Sequence, residues 1–247
     1  GGEKYILVAN GIVSEDGYEP AEPFNLNVYG MAREAATSGE NTDVLVAHGS
    51  TDAPVVDVKE VAAGAGTIVD DIAYSEFQGY LELPTADYSL QIRDAGGTNT
   101  VAQFGAPLET LELDGQALTV VASGFLNPDN NSGGPAFGLY VALPSGGELV
   151  ELPAEEISTA RVQVIHNSAD AAAEIVDIWL NDTPLLDDFS FRTASPFIDA
   201  PAGEEFTISV APSNSTSADD AIAQFDYTLE GGEKYILVAS GIVSENG

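Results

Sequence analysis

Cysteine is absent from the 247-residue sequence, and basic side chains are few. Without cysteine there is neither a disulfide framework nor a thiolate metal site or nucleophile. Seven lysines and arginines stand against 40 acidic residues, which gives a formal net charge of −33. A chain of this charge has little with which to neutralise phosphates, so binding to an anionic membrane surface is strongly disfavoured and we expect no nucleic-acid partner. We expect an extracellular or cell-surface protein of a marine or salt-adapted prokaryote, because high salt shortens the range of self-repulsion.

Long apolar runs are also missing. The longest, such as residues 5–9 and 118–122, are about five residues, whereas a membrane-spanning helix needs about 20. No membrane span is therefore predicted. The apolar content of 44% is still enough to fill the cores of two domains, so we expect a folded chain. No signal peptide is visible, and because the sequence starts within a repeat we expect a mature or excised piece.

The most prominent feature that the sequence does contain is a duplication at its two ends. Residues 1–17 return as residues 231–247 with fifteen of seventeen positions identical. A weaker repeat occurs at half that spacing, where an alternating apolar strand runs into H-x-S-x-D-A at residues 43–57 and again at residues 161–177. The long period therefore contains two diverged copies of one unit.

The local pattern predicts β-strands throughout. Val44, Val46 and His48 alternate with the residues between them, and similar runs recur at intervals of about ten residues. Turn-forming stretches such as residues 127–134 separate these runs. Short strands in units of this length predict an all-β fold of tandem immunoglobulin-like antiparallel β-sandwiches, here without disulfides.

The repeats predict a division of the chain. We expect residues 42–157 to form a complete sandwich and residues 158–247 a second sandwich that lacks its final strand. Residues 1–41 then supply the C-terminal strands of a preceding or neighbouring repeat.

A spare closing strand is predicted in this N-terminal segment. Phe24, Leu26 and Val28 show the same alternation as the strand that closes the complete repeat, around residues 137–141. The second repeat reaches its penultimate strand without such a successor. We therefore expect the three apolar residues to be the anchors of an assembly strand.

These motifs together resemble a known family. The strings V-x-V-x-H-x-S-x-D-A, D-D-F-x-F-R-T-A-S-P-F, P-A-G and the closing Y-I-L-V-A-S-G are similar to the domain-of-unknown-function 4397 family, DUF4397. The resemblance covers residues 42–152 as one unit, 160–247 as most of a second and 1–35 as the end of another. It implies tandem β-sandwiches of secreted or surface proteins, without established catalytic residues.

The two histidines, His48 and His166, occupy equivalent positions, and each is followed by serine and aspartate at two-residue intervals. A nucleophilic triad needs serine beside an imidazole that a carboxylate orients. Three groups so close on one strand and its turn converge poorly, and no G-x-S-x-G turn is present. We expect both histidines to be core landmarks that hydrogen-bond backbone, and we expect no enzymatic activity. Two histidines without cysteine also disfavour a zinc site.

Paired acids recur in both repeats as Asp70 with Asp71 and Asp187 with Asp188. Calcium takes six to eight oxygen ligands, so these are candidate partial ligands at a domain junction. Adjacent strand residues point to opposite faces, however, and a solvated acidic surface is the simpler interpretation. No cofactor is expected, with calcium left open.

Two functions remain open from the sequence. The first is a structural repeat segment of an extracellular fibre, stalk or adhesin, in which copies join head to tail by strand complementation or follow one another in a continuous tandem array. The alternative is an adhesion module that binds glycan or a protein receptor through sandwich-end loops, including residues 127–134.

Overall fold

The structure, a computed structural model, describes residues 2–14, 16–97 and 99–243. The chain divides into two compact units, Gly1–Glu156 (unit 1) and Ile157–Gly247 (unit 2). Both are built from β-strands, and the helical content of the described residues consists of three 3-10 turns. No helix in these ranges is long and apolar enough to cross a membrane.

The described residues of unit 1 form twelve strands, numbered in chain order. They are β1 (Tyr5–Asn10), β2 (Asn25–Gly30), β3 (Asn41–His48), β4 (Val56–Glu60), β5 (Gly66–Ile72), β6 (Phe77–Pro84), β7 (Asp87–Asp94), β8 (Thr100–Pro107), β9 (Ala117–Ser123), β10 (Gly138–Ala142), β11 (Val150–Glu151) and β12 (Ala154–Glu155). Ten of them form two five-stranded sheets, in the orders β11-β10-β9-β3-β6 and β12-β8-β7-β4-β5, while β1 and β2 form a separate antiparallel ribbon.

The core of unit 1 lies between its two sheets. Alternate side chains of each strand point inward, so that Leu118 and Leu139 of one sheet meet Ile92 and Phe104 of the other in a single buried cluster. The predicted all-β sandwich fold without disulfides is confirmed. The pairing is antiparallel except between β3 and β9, which run parallel.

Unit 2 repeats the first seven strands of the sandwich. They are β13 (Thr159–His166), β14 (Ile175–Leu180), β15 (Thr183–Ser190), β16 (Ile198–Pro201), β17 (Glu205–Pro212), β18 (Ala223–Thr228) and β19 (Lys234–Ala239). Their sheets have the orders β16-β13-β19 and β15-β14-β17-β18. The parallel pair recurs in the same register, since His166 lies opposite Ala239 as His48 lies opposite Ala122.

The sheets of the two units differ at two edges. In unit 1, β8 is paired with β12, whereas its counterpart β18 is an edge strand within residues 157–243; the second difference lies at β9. In unit 1, β9 lies between β3 and β10. Within residues 157–243, β19 has β13 on one side and no strand on the other. We call this side of β19 the open edge, and we call a strand in the position of β10 the closing strand.

The ribbon of β1 and β2 packs against the sandwich of unit 1 through one of its two faces. The ring of Tyr29 packs 5.5 Å from Phe77 and 5.9 Å from Tyr80, centroid to centroid. Just after the ribbon, Arg33 donates to the buried carboxylate of Asp43 at 2.6 Å. One face of the ribbon is thus covered by the sandwich of unit 1.

Candidate functional site

The ribbon reproduces the joint between β9 and its closing strand. Ala9 of β1 lies opposite Leu26 of β2, as Ala122 of β9 lies opposite Leu139 of β10. All other positions follow in the same register, so β1 corresponds to β9 and β2 to β10. The sequence alignment that placed Leu26 at a closing-strand position thus agrees with the strand pairing.

The face of the ribbon that corresponds to the buried face of β9 and β10 is turned to solvent. In unit 1 the equivalent side chains Leu139 and Val141 are 5% and 2% exposed. The ribbon side chains on this face, which we call the core face, are about half exposed. They are Tyr5 at 53%, Leu7 at 55%, Phe24 at 56%, Leu26 at 48% and Val28 at 56%. Five neighbouring apolar side chains of this kind form a patch of the sort that marks an interaction site.

The open edge presents the complementary half of this joint. Tyr235 and Leu237 of β19 pack against the unit 2 core, and they correspond to Leu118 and Val120 of β9. The segment Tyr235–Ala239 is identical in sequence to the segment Tyr5–Ala9. The open edge therefore offers a closing strand the same backbone and side chains as β1 does.

A glycine marks the place where the closing strand crosses each copy. Gly11 and Gly124 follow β1 and β9 with φ of +92° and +83°, and a Cβ on either would collide with the carbonyl of Pro23 or Ala136, just ahead of the closing strand. Gly241 follows β19 with φ of +119°, yet a Cβ there meets nothing within 4 Å. Unit 2 thus has the glycine that a closing strand requires, without the strand.

The H-x-S-x-D motif fixes this turn. In unit 1, Ser50 Oγ donates to Gly124 O at 2.7 Å, and the Asp52 carboxylate accepts from Leu126 N at 2.9 Å. Sequence reasoning did not find this bond from Asp52 to the turn after β9. The recurrence of the motif together with the glycine was the signal that could have found it.

The same bonds are present in unit 2. Ser168 Oγ donates to Gly241 O at 2.8 Å, and the Asp170 carboxylate accepts from Val243 N at 2.9 Å. The chain that leaves β19 is therefore already held in the direction it takes in the complete unit. The open edge is preorganised for a closing strand.

The histidines that begin the two copies of this motif both lie in the interior. His48 Nε2 donates to Pro54 O at 3.1 Å and His166 Nε2 donates to Ala173 O at 2.8 Å. Burial lowers the pKa of His48 below its ordinary value. Since Ser50 and Ser168 bond to glycine carbonyls, the motif has a structural role in the fold.

The acidic pairs differ between the units. Asp187 and Asp188 meet Asp177, with one carboxylate oxygen of each within 4.8 Å of the others. Asp70 and Asp71 are exposed. Adjacent aspartates can converge because Asp71 and Asp188 have φ of +53° and +49° at a bulge, so the expectation that their side chains point to opposite faces is wrong at this bulge.

The electrostatics of the three-aspartate cluster follow from its contacts. The carboxylate charges of Asp177 and then Asp188 raise the pKa of Asp187 above its ordinary value. Burial acts to raise the pKa of Asp177, but hydrogen bonds from Ser215 and Asp188 outweigh it and leave that pKa below its ordinary value. Three carboxylates supply part of a calcium coordination shell, which takes six to eight oxygens.

The sandwich-end loop at residues 127–134 uses its polar groups internally. Asn131 is fully buried, and its amide donates to Asp52 Oδ2 at 3.1 Å. Its carbonyl accepts from Glu19 N at 3.1 Å, while Ser132 Oγ donates to Gly17 O at 2.8 Å. This loop therefore holds the N-terminal segment in place.

Fold and sequence together describe an acidic all-β protein of two β-sandwich units, with a separate two-stranded ribbon in the first. A sequence profile assigns the family. The chain belongs to the family described as "Domain of unknown function (DUF4397)", which matches residues 42–135 and 160–246, more than half of the chain.

Other comparisons add no functional information. No curated protein matches the chain. A crystal structure of γ-CGTase from alkalophilic Bacillus clarkii aligns with 97% of this chain and 41% of its own, at 10% sequence identity and a TM-score of 0.25. The chain thus spans about two fifths of that protein, and a similarity at this level carries no argument about fold or activity.

Proposed function

We propose that the protein is a structural segment of an extracellular fibre, stalk or adhesin whose units join head to tail by strand complementation. The observation that carries this is the pairing of β2 with β1 in the register of β10 with β9, together with an open edge of identical sequence. The closing strand at the open edge of one copy is β2 of the next copy, with Phe24, Leu26 and Val28 as its anchors.

The energetics favour such a joint. A closing strand adds main-chain hydrogen bonds along the edge, and its alternate side chains add apolar burial. Fully burying a valine, leucine or phenylalanine side chain contributes about 1.5 to 3 kcal/mol. Three half-exposed anchors that become as buried as Leu139 and Val141 each gain about half of this, so together they stabilise the joint by about 2 to 4 kcal/mol.

The joint is heterologous, because the open edge of one copy meets the ribbon of another. A heterologous contact that does not close on itself generates a filament. Where the polypeptide continues beyond residue 247 with a further repeat, the same joint forms covalently within one tandem array. Both arrangements place the same residues in the same register.

The charge sets the conditions for assembly. Each chain carries a formal net charge of −33, and the repulsion between copies is screened over about 3 Å in 1 M salt, compared with about 10 Å at 0.1 M. We place the protein at the outside of a salt-adapted prokaryotic cell, where this screening is available. Assembly then increases with salt concentration.

A matched pair of valines tests the proposal. Val28 on the core face of β2 and Val101 on β8 are 56% and 48% exposed, so a charge at either costs the isolated chain little. At about 1 M salt we expect the wild type and Val101→Asp to form species at multiples of 25.6 kDa in sedimentation velocity. Val28→Asp stays monomeric, because its carboxylate would enter the core of the neighbouring unit.

Two results would contradict the proposal. One is a wild-type chain that remains at 25.6 kDa at millimolar concentration in high salt. The other is assembly by Val28→Asp to the same extent as Val101→Asp.

A further inference from the structure

We propose that copies join by strand exchange, in which β19 of one chain displaces β1 from β2 of another. This inference rests on the proposed function and concerns how its joint is regulated. In the monomer, β1 occupies the edge of β2 that the joint needs. The chain therefore carries a built-in cap on its own assembly strand.

The pairing register shows that β1 and β19 compete for one edge. In unit 1 the closing strand β10 contacts β9 along one edge and β11 along the other, through Tyr140 opposite Glu151. The edge of β2 that corresponds to the β9 side carries β1, with Leu26 opposite Ala9. A closing strand in the family register must therefore release β1 before it reaches β19.

The two competitors are chemically the same strand. Tyr5–Ala9 and Tyr235–Ala239 are identical, so β2 makes the same backbone bonds and side-chain pairs with either. Exchange of identical elements between protomers is a low-cost route to assembly. The hydrogen bonds broken at β1 are replaced at β19.

The support behind each strand decides the direction of exchange. β1 pairs with β2 alone in a two-stranded ribbon, and its Tyr5 and Leu7 are half exposed. β19 is paired along its other edge with β13, and its Tyr235 and Leu237 pack into the unit 2 core. Moving β2 from β1 to β19 therefore covers its core face without loss of strand pairing.

The cap also explains how a chain with a half-exposed core face can remain unassembled. An isolated strand edge is a template for uncontrolled pairing. Because β1 holds that edge, assembly waits for the ribbon to open, and opening limits its rate. The cap is specific, since a strand of another sequence does not match the anchors of β2.

Cysteine pairs test the exchange cleanly, because the chain contains no cysteine. Asn10→Cys with Asn25→Cys creates a disulfide that locks β1 onto β2 on the face opposite the anchors. The matched control is Ser123→Cys with Gly138→Cys, the same paired position in unit 1. In high salt we expect oxidised locked chain to assemble at least tenfold more slowly than the control, and a reducing agent to restore its rate.

A second arm identifies the new partner of β2. Chains with Asn25→Cys alone are mixed with chains with Ser240→Cys alone and assembled under mild oxidation, since Ser240 corresponds to Asn10, the partner of Asn25. We expect a covalent dimer of one chain of each kind. Native mass spectrometry shows its composition, and peptide mapping places its disulfide between position 25 of one chain and position 240 of the other.

The outcomes separate the two proposals. Assembly by the oxidised locked chain at the control rate overturns strand exchange and leaves head-to-tail joining intact. Assembly without the mixed dimer overturns the pairing of β2 with β19. No assembly by any reduced variant overturns the proposed function itself.

Discussion

At the scale of single residues, three glycines carry the most information about the joint. Gly11 and Gly124 lie where the chain crosses ahead of a closing strand, and any side chain there would strike backbone. Gly241 occupies the equivalent place in unit 2 with open space around it. The positive φ of Gly241, +119°, by itself favours glycine there, and a closing strand would add a second, steric reason.

Gly241→Ala tests that steric reason. The new methyl group would collide with the incoming strand, so we expect assembly to be lost. Gly203→Ala is the control, since Gly203 in unit 2 also has positive φ, +80°, with nothing within 4 Å of a Cβ. Both substitutions place alanine in a strained conformation that costs about 1 to 3 kcal/mol. Equal assembly of the two variants, measured by sedimentation, would mean that no strand crosses at Gly241.

The three-aspartate cluster gives a pH prediction. The raised pKa of Asp187 means that its ionised form opposes folding. This penalty is present above the folded-state pKa and disappears as the pH falls through that value. We therefore expect Asp187→Asn to raise the melting temperature by about 1 to 3 °C at pH 7 without calcium, and by less at pH 4.

The control for that substitution is Asp70→Asn, which removes the same charge from the corresponding pair in unit 1. A lower melting temperature of Asp187→Asn in calcium-free buffer would contradict the electrostatic argument. Added calcium tests the remaining metal hypothesis, because an ion at the cluster stabilises the wild type more than Asp187→Asn.

At the scale of elements, the alternation of apolar residues was enough to predict the strands and their repeat. Leu26 and Val28 could be matched to Leu139 and Val141 from sequence alone, since a strand with one buried face has a period of two. The alternation alone does not show which face of the ribbon is covered by a neighbouring part of the structure. The outward orientation of the core face depends on Tyr29, whose ring contacts with unit 1 bind the opposite face.

Long-range partners were the other limit of the sequence. Asp177 is about ten residues from Asp187, and only the strand pairing and the bulge at Asp188 bring the three carboxylates together. The bond from Asp52 to the turn after β9 spans 74 residues. Local propensity carries no signal for such contacts. The repeat did carry such a signal, because the H-x-S-x-D motif and the glycine that follows β9 or β19 recur together in both units.

At the scale of the whole molecule, two features oppose each other. A net charge of −33 makes copies repel each other, while the joint that we propose between the core face and the open edge would bring them together. Salt decides the balance by screening the first without weakening apolar burial. The proposed exchange of β1 for β19 would add a kinetic barrier to assembly.

Amide hydrogen exchange is the measurement that tests this account most directly. The chain is compared as a dilute monomer and as the material that assembles at high concentration in about 1 M salt. We predict that amides of β19 (Lys234–Ala239) facing the open edge exchange at least tenfold more slowly after assembly, while those of β1 (Tyr5–Asn10) that pair with β2 exchange faster. Unchanged exchange at β19 in assembled material would contradict strand complementation.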